Sequence, residues 1–137
     1  MSYYLLAFDP AAVTDADFSA WWAAQSAWGG SHDYNSPDSA GPAVRPFFDE
    51  LIQTFPPMNG PLAAADDYEP ADRVTDYSIA PDFIYAAFAW SESDAAGDLF
   101  AELAEKYGLA MAAFGEATPL IIRPEVAAPK KKWPWSK

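Results

Sequence analysis

Tyr77–Gly108 reads YSIAPDFIYAAFAWSESDAAGDLFAELAEKYG, and several independent local signals agree in it. Phe83 to Trp90 is rich in aromatic and β-branched residues, which suit a pleated, buried surface. Strand alternation places Phe83, Tyr85, Ala87 and Ala89 on one face and Ile84, Ala86, Phe88 and Trp90 on the other. Both faces are apolar, so this is a central strand covered on both sides, or one whose second face meets a partner. Tyr77-Ser78-Ile79-Ala80 is a short strand just before it. Pro81-Asp82 between them is turn chemistry, because Pro presets φ and Asp bonds its own backbone. The pair reads as an antiparallel hairpin. Ser91-Glu92-Ser93-Asp94 then carries a helix-capping pattern, a Ser with an acid three residues on. Ala96, Leu99, Phe100, Leu103 and Tyr107 follow at helical spacing as one buried stripe. Gly108 is suited to the left-handed conformation that ends a helix.

Working outward, Tyr3-Tyr4-Leu5-Leu6-Ala7-Phe8 is a first strand ended by Asp9-Pro10. Thr14-Asp15-Ala16-Asp17 is a second capping pattern. It opens a helix whose inner face is Phe18, Trp21, Trp22 and Gln25, and Gly29-Gly30 stops it. Gly30–Gly41 is a polar loop of turn formers. In the next helix Val44, Phe47, Phe48, Leu51, Ile52 and Phe55 form an apolar stripe, with Pro46 required near its start. Phe55-Pro56-Pro57-Met58-Asn59-Gly60-Pro61 forces a stiff connection. Residues 62–76 have no clear period, and Asp66, Asp67, Glu69, Asp72 and Asp76 crowd there against Arg73 alone. After the central stretch, Leu109 to Phe114 is a strand and Gly115 to Pro119 a turn. Leu120-Ile121-Ile122-Arg123 is a last, edge strand.

The chain of 137 residues suits one domain at 1–124, with a tail at 125–137 ending PKKKWPWSK. It has no Cys, which rules out disulfides, thiolate metal sites and a Cys nucleophile, and which fits a reducing cytoplasm. The N-terminus shows neither a signal peptide nor a membrane span. The net charge is −12, and four of the eight bases, Lys130, Lys131, Lys132 and Lys137, stand in the tail. A body with that field repels nucleic acid and anionic membranes and draws basic partners. The share of aromatic residues, 16%, belongs to a folded domain and not to an acidic disordered segment.

The order β-α-α-β-β-α-β-β, with hairpins in it, implies an α+β two-layer sandwich. Three helices would pack on a mostly antiparallel sheet of four to five strands. Leaving out the second helix and last strand gives βαββαβ, the ferredoxin-like arrangement. That arrangement hosts many functions and decides none of them.

The Met-Ser-Tyr opening with a strand ending in Asp-Pro resembles a group of small, mostly uncharacterised bacterial proteins. The same group is resembled by Thr54-Phe55-Pro56-Pro57-Met58-Asn59-Gly60-Pro61, Thr75-Asp76-Tyr77-Ser78-Ile79 and Ile84-Tyr85-Ala86-Ala87-Phe88-Ala89-Trp90-Ser91. The resemblance covers residues 1–123. Some members are associated with polymorphic-toxin or type VI secretion loci as candidate immunity proteins. The resemblance therefore implies a cytoplasmic toxin inhibitor, and it brings no catalytic residues with it.

Three readings of function follow. In the first, the chain is not an enzyme but binds a basic protein, a secreted toxin domain. The acids Asp66, Asp67, Glu69, Asp72 and Asp76 would meet a basic active site, and exposed members of Trp21, Trp22 and Trp28 would anchor the contact. No cofactor and no metal is expected. The acidic run lacks the ligand order and central Gly of an EF-hand. His32, the single histidine, has no second His or Cys to complete a transition-metal site. In the second reading, His32, Asp33 and Tyr85 supply acid–base groups for cofactor-free chemistry in a shared pocket. In the third, the chain is a structural or regulatory module that uses an exposed sheet edge or the Pro-rich loop, and a homodimer burying the 120–123 edge strand would favour it.

Overall fold

A computed structural model describes residues 2–29, 33–114 and 120–123. His32, the 115–119 turn and the 125–137 tail lie outside the described residues. Five strands, β1 (Ser2–Phe8), β2 (Asp76–Ile79), β3 (Phe83–Ala89), β4 (Ala110–Phe114) and β5 (Leu120–Ile122), form one antiparallel sheet in the order β2-β3-β1-β4-β5. The helices are α1 (Phe18–Gln25), α2 (Val44–Leu51) and α3 (Ser93–Lys106). The first four strands in chain order take the ferredoxin-like sequence across the sheet. β5 adds to the β4 edge.

The strand pattern explains the layering. On one face Leu5, Ala7, Tyr77, Ile79, Ile84, Ala86, Phe88 and Met111 are buried against Val44, Phe47, Phe48 and Leu51 of α2 and Ala96, Phe100, Leu103 and Ala104 of α3. This is the main core of the sandwich. Phe47 meets Phe100 edge-on at 5.0 Å, and Phe55 meets Phe88 at 5.1 Å. Such edge-to-face pairs add stabilisation beyond the area they bury. On the opposite face Leu6, Phe8, Phe83, Ala110 and Ala112 are buried around Phe18 of α1. Both faces of β3 are thus used, as its apolar alternation requires.

The turn chemistry settles as expected at Pro81-Asp82, where the Ala80 N–H donates to the Phe83 carbonyl. Gly41 is demanded by close approach. Its N–H donates to the Pro81 carbonyl at 2.9 Å, and a Cβ there would lie 2.3 Å from that oxygen. Gly108, at φ 71°, ends α3. The two capping patterns behave differently from the sequence expectation. The Thr14 hydroxyl accepts from the Asp17 N–H one turn ahead of α1, and neither α1 nor α3 has a side-chain cap at its first residue. Ser91 and Glu92 reach across the fold instead. The Ser91 hydroxyl donates to Asp72 at 2.7 Å, and Glu92 accepts from Arg73 at 3.0 Å. A tertiary partner has outcompeted the local backbone for these side chains.

Candidate protein-interaction face

Helix α1 is short and covers only part of its side of the sheet. Trp21 packs on Phe8 and Phe83, and Trp22 packs on Phe83, Tyr85 and Phe114. Both indoles are half-buried, so they build the second core more than they present a surface. Trp28 differs. It sits at φ 56°, a left-handed conformation uncommon for a bulky residue. Its ring turns back onto Trp22, Tyr34 and Tyr85 while remaining 41% exposed.

Beyond Trp28 no helix of the described residues packs on this side of the sheet. Tyr4, 38% exposed, lies almost parallel to Tyr85, with ring centroids 5.7 Å apart and an interplanar angle of 6°. The strand register runs Asp76, Ala87, Tyr4, Phe114 in one row across β2, β3, β1 and β4. Tyr77 and Ile79 point into the main core, so Asp76 and Ser78 belong to this open side. Ala87 separates Asp76 from Tyr4, and Ala89 lies further along the same strand; neither has a side chain that could fill the gap. Burial of the Tyr85 hydroxyl, with a contribution from neighbouring Tyr4, raises its pKa above the usual value, so it stays neutral at physiological pH.

The five acids singled out in the sequence, Asp66, Asp67, Glu69, Asp72 and Asp76, are all exposed. They lie in and after the loop that precedes β2. That loop is pinned by Arg73, whose guanidinium pairs with Glu92 and lies 5.1 Å over the Phe55 ring. It is pinned again where Thr75, fully buried, exchanges backbone hydrogen bonds with Pro56 and Met58. The Asn59 amide reaches Asp76 at 3.5 Å, a long hydrogen bond. Among the described residues every cation already has an acid. Arg45 pairs with Asp38 and Asp49, Arg73 with Glu92, Lys106 with Glu50 and Arg123 with Asp15. None of the five acids of the 66–76 run is in such a pair. The acids and tryptophans do not merge into one patch. Asp76 adjoins the open sheet, Trp28 borders it through Tyr34 and Tyr85, and Asp66, Asp67 and Glu69 stand further out on the loop.

Two further openings among the described residues carry no convergent chemistry. A groove of about 1020 Å³ runs between residues 10–17, α1 and Arg123. The guanidinium in it is consumed by Asp15, the Pro10 and Val13 carbonyls, and the Phe8 ring. A smaller opening of about 180 Å³ between α3 and the β4–β5 edge is lined by Ala101, Ala104, Leu109, Met111 and Ile122, with Glu105 and Arg123 at its rim. Neither is lined by Asp33 or Tyr85, and Asp33 is spent locally, accepting from the Asn35 N–H. Among the described residues no three His, Cys, Asp or Glu side chains are grouped to hold a metal ion, and no helix is long and apolar enough to cross a membrane.

Tyr4, Ala87 and Ala89 escaped the sequence reading of the site. Strand alternation marks Tyr4 as facing away from Leu5, but the register that sets it one residue from Asp76 is a tertiary fact. Comparison of the chain with protein-family models, with curated proteins and with solved structures finds no match.

Proposed function

We propose that this is an acidic binding protein whose partner is a basic protein, and that it serves in the cytoplasm as an immunity protein covering the active site of a cognate toxin. The supporting observation is an imbalance of pairing. Each cation of the described residues is already held by an acid, whereas Asp66, Asp67, Glu69, Asp72 and Asp76 are exposed with no cation of the described residues paired to them, and Asp76 adjoins a partly exposed aromatic sheet face. Such a surface raises the encounter rate with a cationic partner and is unsuited to nucleic acid or anionic lipid. A toxin that acts on a polyanion has the complementary field around its active site. The role is binding, so no catalytic residue, cofactor or metal is assigned. The test is co-expression with the toxin encoded beside the gene. Rescue of growth and a stoichiometric complex that weakens as salt rises are expected. Failure to bind that neighbour at low salt would sink the reading.

A further inference from the structure

We infer that the open half of the sheet is an arginine-recognition notch, floored by Ala87 and Ala89 and walled by Tyr4 on one side and Asp76 on the other. This rests on the proposed basic partner and names the side chain by which that partner is gripped. Three observations converge. First, the register sets Asp76, Ala87 and Tyr4 in one row on adjacent strands, so an acid and an aromatic residue stand on either side of an alanine on one face of the sheet. Second, the Tyr4 ring stacks on Tyr85 with centroids 5.7 Å apart, and the residue is 38% exposed, so part of its side chain stays accessible. Third, Asp76 is exposed, and among the described residues its side chain accepts only the long hydrogen bond from Asn59 and no cation reaches it.

Guanidinium is the group that fits both walls. It is planar, stacks on aromatic rings and presents a fork of donors to a carboxylate, whereas an ammonium is a compact, strongly hydrated charge. The fold shows the same chemistry twice in its own interior contacts. Arg73 lies over Phe55 while pairing with Glu92, and Arg123 lies over Phe8 while pairing with Asp15. The notch offers an aromatic ring and an acid in the same way, with no internal arginine between them. A second copy of this chain is the poorer occupant, since each carries a net charge of −12.

The test is a titration of the isotope-labelled full chain with a short arginine–glycine peptide and with its lysine analogue, followed by NMR. The expected result is that shifts concentrate at Tyr4, Asp76, Tyr85, Ala87 and Ala89, with the arginine peptide bound about two- to five-fold more tightly than the lysine one. Tyr4→Leu, which keeps apolar bulk at an exposed position, and Asp76→Asn should each abolish that preference while main-core resonances stay in place. Equal binding of both peptides, or shifts spread over Asp66, Asp67, Glu69 and the acids of α3, would overturn the notch and leave only diffuse charge attraction. So would concentration-dependent shifts at Tyr4 and Ala87 without peptide, which would assign the face to self-association. The peptide result stands apart from the toxin assay, so loss of the notch and loss of the immunity reading are separately visible.

Discussion

Tyr77 shows how a single side chain ties the strand layer to the chain ahead of it. Its ring is buried in the main core, and its hydroxyl donates to the Phe55 carbonyl at 2.8 Å. Tyr77→Phe leaves that buried carbonyl without its partner, and the expected loss is about 1–3 kcal/mol, read from urea unfolding. Burial raises the Tyr77 pKa well above its usual value of 10.0, with a hydrogen bond to Thr75 opposing in part. The unfolded chain therefore loses this proton first as the solution becomes alkaline. The stabilisation is whole below pH of about 10 and falls as pH climbs toward the folded value. Base unfolding monitored by tyrosinate absorbance should show one tyrosine ionising only with the cooperative transition, and Tyr77→Phe should remove that component. The sequence marks Tyr77 as a strand residue. It does not mark Phe55 as the acceptor, because that pairing depends on where the Pro56-Pro57 connection brings the chain back. Tyr4 and Asp76 fall under the same limit. Each is visible as an outward position, but only the register brings them to opposite sides of Ala87.

Between elements, α2 and α3 are joined by a core contact and by a surface brace. Phe100 is fully buried against Phe47 and Phe88, and Phe100→Ala should cost about 3–5 kcal/mol in chemical denaturation. At the surface, Glu50 accepts from the Lys106 ammonium at 2.8 Å and from the Tyr107 hydroxyl at 2.6 Å. These two bonds, Lys106 first, hold the Glu50 carboxyl below its usual pKa. The brace is present above the ordinary carboxylate range and is lost as pH falls through the lowered value. Lys106→Ala should move the Glu50 midpoint up in an NMR pH titration; an unchanged midpoint would show that the brace does not form in solution. The elements were the most legible level of this protein. Periodicity in 44–55 and 96–107 and alternation in 83–89 each report one buried face, and a buried face is what a local pattern encodes. Placement was less legible. Nothing local says that α1 lies on the side of the sheet opposite α2 and α3, since Phe18, Trp21 and Trp22 would serve either side. The Ser91-Glu92-Ser93-Asp94 pattern, a Ser with an acid three residues on, likewise matches a cap, yet the Ser91 hydroxyl goes to Asp72.

At the scale of the whole molecule, charge decides more than shape. With a net charge of −12, mutual repulsion among the exposed acids opposes the compact state and salt should relieve it. The melting temperature is expected to rise between low salt and about 0.3 M, where the screening length has shrunk to about 6 Å. A fall over that range would mean that the few ion pairs outweigh the repulsion. Salt should weaken partner binding while it strengthens the fold, and this opposition separates an acidic interface from a merely soluble acidic surface. The most direct measurement is therefore calorimetric titration of the full chain with the proposed basic toxin domain, at low salt and at about 0.3 M salt. The account predicts a one-to-one complex whose affinity drops at the higher salt and drops again for Asp76→Asn and Tyr4→Leu. Absence of binding at low salt, or an affinity indifferent to salt and to both substitutions, would contradict it.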